Sequence, residues 1–468
     1  MNYASVVRIL ALVMLIFAGS SAPALVTALG HGEGEQVFAF LAMVLGISVI
    51  AASILFLTPR PKLKSRPSDA LGLVILWWFM APVAACLPFV VGVQNSSLLQ
   101  AIHEAAACLT TTGQSVIAVE GNRWPASLIV WRGTLHFVGG AASIIMAASV
   151  LAALNLGGPG IHRSVLFTMP ETSFFDAVPK VARSVVLIMT VSITLTVLAL
   201  ELTGMSAGRA ISDAVSAWTT GLVDPAPYGR ANAGPVADVI LAFALAGGAL
   251  GLAIALPLRE RRFMKALTDP ETTVFAILVI IFTVMAIASG VSALESIGWS
   301  ISALATSGLP LGSAETWELV PLPVFVLPAL IGGSALSAAG GVKIARLIVL
   351  ARRAGVEFRQ LGYRRSVLGF QFRDREMDER SVIGVWVYLI AYILTVFLVM
   401  VGFALTGQSF ESSIRLAIGF LTNSGGMVVG HVAQLNEGAS ILAIVSMLLG
   451  RLEILAIIPA ISVSFWRG

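Results

Sequence analysis

The chain alternates between long apolar stretches and short polar or charged connectors. Apolar runs occupy about 9–29, 37–57, 71–93, 125–155, 183–203, 235–257, 272–291, 321–351, 382–406 and 439–465. A membrane crossing needs about 20 such residues. Backbone in contact with lipid must satisfy its own hydrogen bonds, so runs of this length predict helices. The pattern predicts an all-α polytopic membrane protein with about ten transmembrane helices. Arg8 followed by an apolar run imitates a signal peptide, but the second run follows so closely that an uncleaved helical pair is the better reading.

Composition agrees. The 468 residues are 57% hydrophobic and 12% charged, with mean hydropathy +0.92. Soluble domains carry about 25% charged residues, so an ordinary soluble enzyme is excluded. The net charge of +4 resides mostly in connectors and reports membrane orientation rather than nucleic-acid affinity. Connectors 58–69, 161–183, 258–268 and 352–380 hold nineteen of the 29 Lys and Arg. The opposite connectors, 30–36, 94–124, 205–233, 309–320 and 407–437, hold only Arg123, Arg209, Arg230 and Arg415. The positive-inside rule puts the first group, and both termini, in the cytoplasm.

Four outer connectors contain a semi-apolar stretch too short to cross a bilayer, each ending in a Thr/Ser/Asn-rich segment closed by glycine. They are LLQAIHEAAACLTTTG (98–113), SAGRAISDAVSAWTTG (206–221), ALESIGWSISALATSG (293–308) and FESSIRLAIGFLTNSG (410–425). A gap-free alignment puts Thr111, Thr219, Thr306 and Asn423 in one column. Thr112, Thr220, Ser307 and Ser424 share the next, and Gly113, Gly221, Gly308 and Gly425 the last. Each stretch sits between two full runs, which predicts four helix–pore-loop–helix repeats after the N-terminal pair. The divisions are 1–60 for the helical pair, 61–160, 161–262 and 263–355 for repeats 1 to 3, 356–380 for a cytoplasmic connector, and 381–468 for repeat 4.

A half-helix that returns as extended backbone is tolerated at membrane depth only where it lines a cavity. Four such loops around one central pore would offer a ring of carbonyl oxygens able to replace the water shell of a monovalent cation. The helices' negative C-terminal ends would favour positive charge there. Glycine lets a carbonyl turn without side-chain obstruction. The absence of Asp and Glu from the four terminal tripeptides argues against a divalent-cation filter.

These loops, with the span pattern around them, resemble the Trk/Ktr/HKT superfamily of potassium transporters, and the Trk-type membrane subunit in particular. The most specific segments are Thr110-Thr111-Thr112-Gly113, Gly332-Gly333-Ser334 through Gly340-Gly341-Val342-Lys343, and Leu448-Leu449-Gly450-Arg451-Leu452-Glu453. The resemblance extends to the C-terminal Phe465-Trp466-Arg467. It implies potassium uptake, not enzymatic chemistry, through a four-loop filter in which one chain supplies the whole pore. Gly113, Gly221, Gly308 and Gly425 would be the filter glycines, with K⁺ held at these and the preceding Thr, Ser and Asn residues. It also implies a bacterial cytoplasmic (inner) membrane, a homodimer, and a cytoplasmic nucleotide-binding regulatory subunit docking on the arginine-rich segment 351–380, where lipid head groups are the competing contact. No covalent cofactor is implied, only K⁺ as transported ion. The second and fourth loops are less channel-like than the first, and a sodium-permeable or sodium/proton-coupled transporter of the same architecture is the alternative.

Within the run 321–351, Gly332-Gly333-Ser334 and Gly340-Gly341 should break the helix mid-membrane. The break could serve close helix packing; the resemblance implies a gating loop below the filter. Arg451 lies deep in an apolar run and needs a partner, and two residues' separation makes Glu453 an unsuitable one. The family's matching arginine faces the pore beneath the filter, in contact with the gating loop. Lys343 either approaches the same cavity or snorkels to the cytoplasmic interface. His103-Glu104 lacks the second histidine of a zinc-protease motif, which leaves an intramembrane hydrolase without a paired nucleophile and base. The family's glutamate position suggests that Glu104 holds its loop through neighbouring backbone. Asp224, Glu315, Glu318 and Glu437 lie near the outer mouth, as cation-concentrating or ordinary solvated charges. Cys86 and Cys108 read as core residues.

Overall fold

In the computed structural model the described residues are 3–59, 67–93, 96–117, 124–148, 174–226, 233–313, 316–362, 371–372, 375–376, 379–453 and 462. Much of the connector 356–380, the segment 149–173 and Phe465-Trp466-Arg467 lie outside them. The protein is built from helices. The strand content among the described residues is one antiparallel two-residue pair, Gln371–Phe372 with Arg375–Glu376.

The N-terminal pair is α1 (Tyr3–Gly19) and α2 (Ala22–His31), which together form one span, packed against α3 (Gly34–Leu57). Four units follow, each with a leading span, a short helix and a following span. Unit one has α4 (Pro67–Ala85) with α5 (Leu87–Gly92), short α6 (Leu98–Leu109) and following α7 (Ala126–Met146). Unit two has α8 (Phe174–Glu201), short α9 (Ala207–Thr219), and α10 (Pro235–Leu250) continuing into α11 (Leu252–Arg259). Unit three has α12 (Phe263–Leu267), α13 (Pro270–Ala288), short α14 (Ala293–Leu304), α15 (Thr316–Leu319), α16 (Leu322–Ile331) and α17 (Ile344–Gly362). Unit four has α18 (Glu379–Leu405), short α19 (Phe410–Leu421) and α20 (Glu437–Leu452).

Seven helical segments among the described residues are long and apolar enough to cross a membrane. The other three apolar runs are not continuous spanning helices there. The run 235–257 bends by 96° between α10 and α11, because Gly251 turns the chain so that the Leu252 N–H reaches the carbonyl of Leu336 at 3.0 Å. The run 321–351 breaks after α16, at the glycines that predicted it. The last run is helical for the sixteen residues of α20.

Apolar side chains cover the outside: Phe38, Phe243, Ile390 and Leu405 are all exposed. Patches of this extent suit a hydrocarbon surround. Polar side chains gather inside, with Thr110, Thr111, Thr112, Thr219, Thr220, Thr306, Ser307, Asn423 and Ser424 fully buried. Closure follows from one recurring contact: α7 packs on α9, α10 on α14, α16 on α19, and α20 on α6. Every following span thus leans on the next unit's short helix, and the fourth returns to the first. The N-terminal pair sits outside this ring, tied on by Phe40 edge-on to Trp131, 5.7 Å between centroids, and by Glu33, which accepts from the first N–H groups of α7.

Candidate functional site

Each short helix starts on a serine: Ser97, Ser206, Ser292 and Ser409 are the N-caps. Ser97 forms a capping box with Gln100, and Ser409 accepts from the Ser412 N–H at 3.2 Å, satisfying donors that a helix start leaves free. At 12 or 13 residues, about 1.5 Å each, these helices end well short of a full crossing.

Each helix ends in a turn forced into left-handed backbone. Thr111 has φ 57°, Thr220 53°, Thr306 56° and Asn423 53°. Three of the four are β-branched threonines, for which this conformation is an outlier with a cost of about 1–3 kcal/mol. Ser97 and Thr111, Ser206 and Thr220, Ser292 and Thr306, and Ser409 and Asn423 are each fourteen residues apart. The N–H of each turn residue reaches back three positions, to Cys108, Ala217, Ala303 and Phe420, at 3.0 to 3.3 Å.

This register corrects the gap-free alignment in one loop. Thr220, not Thr219, is the partner of Thr111, Thr306 and Asn423. Gly221 falls with Thr112, Ser307 and Ser424; the N–H groups of Gly221, Ser307 and Ser424 each reach back five residues, to Ser216, Ser302 and Gly419. Leu222 therefore occupies the position of Gly113, Gly308 and Gly425. The cause is that the second stretch begins on its cap serine, whereas the other three begin one residue after theirs.

The loops meet as a closed set. Ser307 Oγ donates to the Gly221 carbonyl at 3.0 Å, joining loops two and three. Asn423 Nδ2 donates to Thr112 Oγ1 at 3.2 Å and to the Met447 carbonyl at 3.0 Å, joining loops four and one. Gly308 lies directly against Gly426, joining three and four. Gly113, at φ 74°, lies against Leu222: a Cβ there would stand 2.7 Å from Leu222 N and 2.8 Å from His136 Nε2. No residue with a side chain fits that position without moving the second loop. Following spans approach through glycines, with Gly139 against Leu109, Gly248 against Ala217 and Trp218, and Gly450 against Leu421 and Asn423.

Behind loops one and two stands Arg132 of α7, fully buried. Its Nε donates to the Val223 carbonyl at 2.6 Å, and Nη2 to the carbonyls of Leu222, at 3.1 Å, and Gly113. Nη1 pairs with the carboxylate of Glu104, which also accepts from Ser115 Oγ at 2.7 Å. Glu104 holds its loop through these two side chains, a correction to the expected backbone contacts. Arg132 carried no motif in the sequence; its depth in an apolar run, like that of Arg451, was the available signal. His136, one turn on, bonds the Arg132 carbonyl through Nδ1 at 2.8 Å.

Below the ring lies the segment 332–343. The Gly340 N–H donates to Thr306 Oγ1 at 2.8 Å, the Ser334 N–H to the Ala249 carbonyl at 2.9 Å, and the Ala335 N–H to Glu271 Oε2 at 2.8 Å. Gly332, Gly333, Ser334, Gly340 and Gly341 are all in this segment, and a Cβ on Gly340 would fall on the Thr422 carbonyl. Arg451 joins segment and ring: Nε donates to the Thr110 carbonyl at 2.7 Å, Nη2 to Thr111 Oγ1, and Nη1 to the Ala338 carbonyl. Lys343 is buried and donates to the carbonyls of Ser337, at 3.3 Å, and Ala339. Its ammonium is thus held inside the segment 332–343 itself. A cavity of about 20 Å³, enough for one water, is bounded here by Ser337, Gly340, Lys343, Gly450 and Arg451.

Other candidates sit apart from the ring's centre. Glu453 pairs with Arg346, whose guanidinium lies 3.9 Å from the Tyr388 ring centroid; each charge near the end of α20 thus has its own partner. His103 is buried against Ser440 Oγ at 3.0 Å and edge-on to Phe420. Among the described residues no group of His, Cys, Asp and Glu could hold a metal ion. Cys86 and Cys108 are buried free thiols. Asp224 Oδ1 accepts from the Ala226 N–H at 2.8 Å, and Glu437 stands in the first turn of α20. Glu315 and the side chain of Glu318 lie outside the described residues.

No family model matches the chain. Over its whole length and theirs it is 28% identical to the Trk system potassium uptake protein TrkH of Salmonella typhimurium and to that of Escherichia coli K12. It is 25% identical to TrkG of E. coli K12, over 97% of this chain and 96% of the relative. The crystal structure of the potassium transporter TrkH from Vibrio parahaemolyticus superposes with TM-score 0.86 at 24% identity, covering all of both chains, and so shares the fold. Over its full length the chain is thus similar in sequence to Trk system potassium uptake proteins, and in fold to a solved potassium transporter of that name.

Proposed function

We propose that this protein takes up potassium ions across the bacterial cytoplasmic membrane, through the ring of four left-handed turns. One observation carries the reading: four short helices, contributed by one chain, end at the same strained turn and interlock around a common centre. Strain of this kind persists only where the surroundings over-determine it, and it concentrates at functional sites. The site is built from backbone and hydroxyl oxygens, the chemistry of alkali-ion coordination, and full-length relatives are named for potassium uptake. The filter residues are Thr111, Thr112 and Gly113, Thr220, Gly221 and Leu222 (with Thr219 closing the second helix), Thr306, Ser307 and Gly308, and Asn423, Ser424 and Gly425.

The segment from Gly332 to Lys343, held to the ring by Arg451, is the gate. Moving it requires breaking the Arg451 contacts to Ala338 and the Gly340 contact to Thr306, so its position and the ring's geometry are linked. Both termini face the cytoplasm, the chain works as a homodimer among membrane lipids, and a nucleotide-binding subunit docks on the arginine-rich connector after α17.

Growth of a potassium-uptake-deficient bacterium at low external K⁺ tests the reading. Expression of this chain should restore growth; failure, with the protein present in the membrane, would refute it. Leu222 in place of a fourth glycine favours a second reading, a sodium-permeable or sodium/proton-coupled transporter of the same architecture. Flux of Na⁺ equal to that of K⁺ in vesicles would favour this alternative.

A further inference from the structure

The ring is braced differently on its two sides. By position, Glu104 and Trp299 correspond, each seven residues before the left-handed turn of its loop, Thr111 and Thr306. Behind loops one and two, Glu104 pairs with Arg132, whose single guanidinium engages the carbonyls of Gly113, Leu222 and Val223. Behind loops three and four, Trp299 packs instead with Trp317 and Phe325, at centroid separations of 6.4 and 5.8 Å, and Trp317 rests on Gly426. One half of the ring is held by charge-assisted hydrogen bonds on the backbone oxygens themselves. The other is held by aromatic packing.

We propose that Arg132 is a specificity-determining positioning residue. By holding the Gly113, Leu222 and Val223 carbonyls against α7, it anchors loops one and two so that their ion-facing oxygens cannot close on an ion smaller than potassium. Gly113 and Leu222 hold equivalent positions, and Arg132 ties both carbonyls to one rigid planar group. Arginine suits this task because its fork of donors can serve several acceptors at fixed spacing, which a lysine ammonium cannot. Charge-assisted bonds are about twice as strong as neutral ones, and Glu104 supplies the countercharge that a buried guanidinium needs. The aromatic brace on the opposite side, Trp299 with Trp317 and Phe325, carries no formal charge. Discrimination against sodium therefore originates mainly in loops one and two.

The inference rests on the filter reading above, and its test separates the two. Wild-type protein, Arg132→Lys, Glu104→Gln and Trp299→Phe are each reconstituted full-length into liposomes, and K⁺ and Na⁺ fluxes are measured side by side. Arg132→Lys and Glu104→Gln should each lower the K⁺/Na⁺ ratio several-fold while K⁺ still passes, and Trp299→Phe should shift it less. Glu104→Gln keeps the side chain's shape and its bond to Ser115, so it carries the test if the lysine variant does not accumulate. A wild-type protein that fails to favour K⁺ would sink the filter reading. A selective wild type whose ratio stays the same in Glu104→Gln and Arg132→Lys would sink the clamp alone. Equal shifts from Trp299→Phe and Glu104→Gln would overturn the assignment of discrimination to loops one and two.

Discussion

Arg451 Nε donates to the Thr110 carbonyl at 2.7 Å, across 341 positions of sequence. The same guanidinium engages the Ala338 carbonyl, so one side chain near the end of α20 joins the base of the first loop to the segment beneath it. Arg451→Ala leaves these buried carbonyls without donors, at about 1–3 kcal/mol for each unsatisfied group. The variant should change the rate of K⁺ or Rb⁺ flux in proteoliposomes, and Arg451→Lys should recover part of the change. Wild-type flux from the alanine variant would leave Arg451 a purely structural role.

Gly340 offers a steric test of the gate. Gly340→Ala drives a methyl group into the Thr422 carbonyl, an overpacking of about 1–3 kcal/mol. Gly355 in α17 faces open space, so Gly355→Ala is the control. We expect altered flux or a lowered melting temperature from the first and neither from the second, with the K⁺/Na⁺ ratio of both unchanged.

The Arg346–Glu453 pair anchors the C-terminal end of α20 to α17. Removing one partner of a buried pair costs about 3–5 kcal/mol, whereas removing both is much milder. Thermal unfolding in detergent should show Glu453→Gln well below wild type, and Arg346→Gln/Glu453→Gln above the sum of the single losses. Additive losses would mean that the two charges act independently.

His431, between α19 and α20 of unit four, is half-buried and lies 3.0 Å from Ser412 Oγ. Burial, then Arg415, lower its pKa from the ordinary 6.5, against the pull of Glu411. The unfolded chain then binds the proton more readily than the folded one, so stability falls as pH drops through about 6.5. Melting temperature measured across that range should fall toward acid in wild type and less so in His431→Gln.

Much of this was legible from hydropathy. The apolar runs located the helices, and the four short stretches located the ring. The run 235–257 hid a right-angle bend because apolar residues suit both sides of it, and Gly251 is one glycine among several. Loop two misled because Thr-Thr-Gly is a compelling match by residue type, while its register is set at the other end of the helix. An alignment anchored on Ser97, Ser206, Ser292 and Ser409 also brings Asp213 into the column of Glu104, and would have placed Leu222 correctly. Arg132 and Glu104 pair across sequence that no local pattern connects.

The most direct test is competitive K⁺ and Na⁺ flux through the purified protein in liposomes, wild type beside Gly113→Ser. A serine at this left-handed position must push the Leu222 backbone away and loosen the ring. If the ring of four turns selects the ion, wild type passes K⁺ ahead of Na⁺ and the serine variant raises the sodium share. A wild type indifferent to the two ions, or a serine variant with an unaltered ratio, would contradict it.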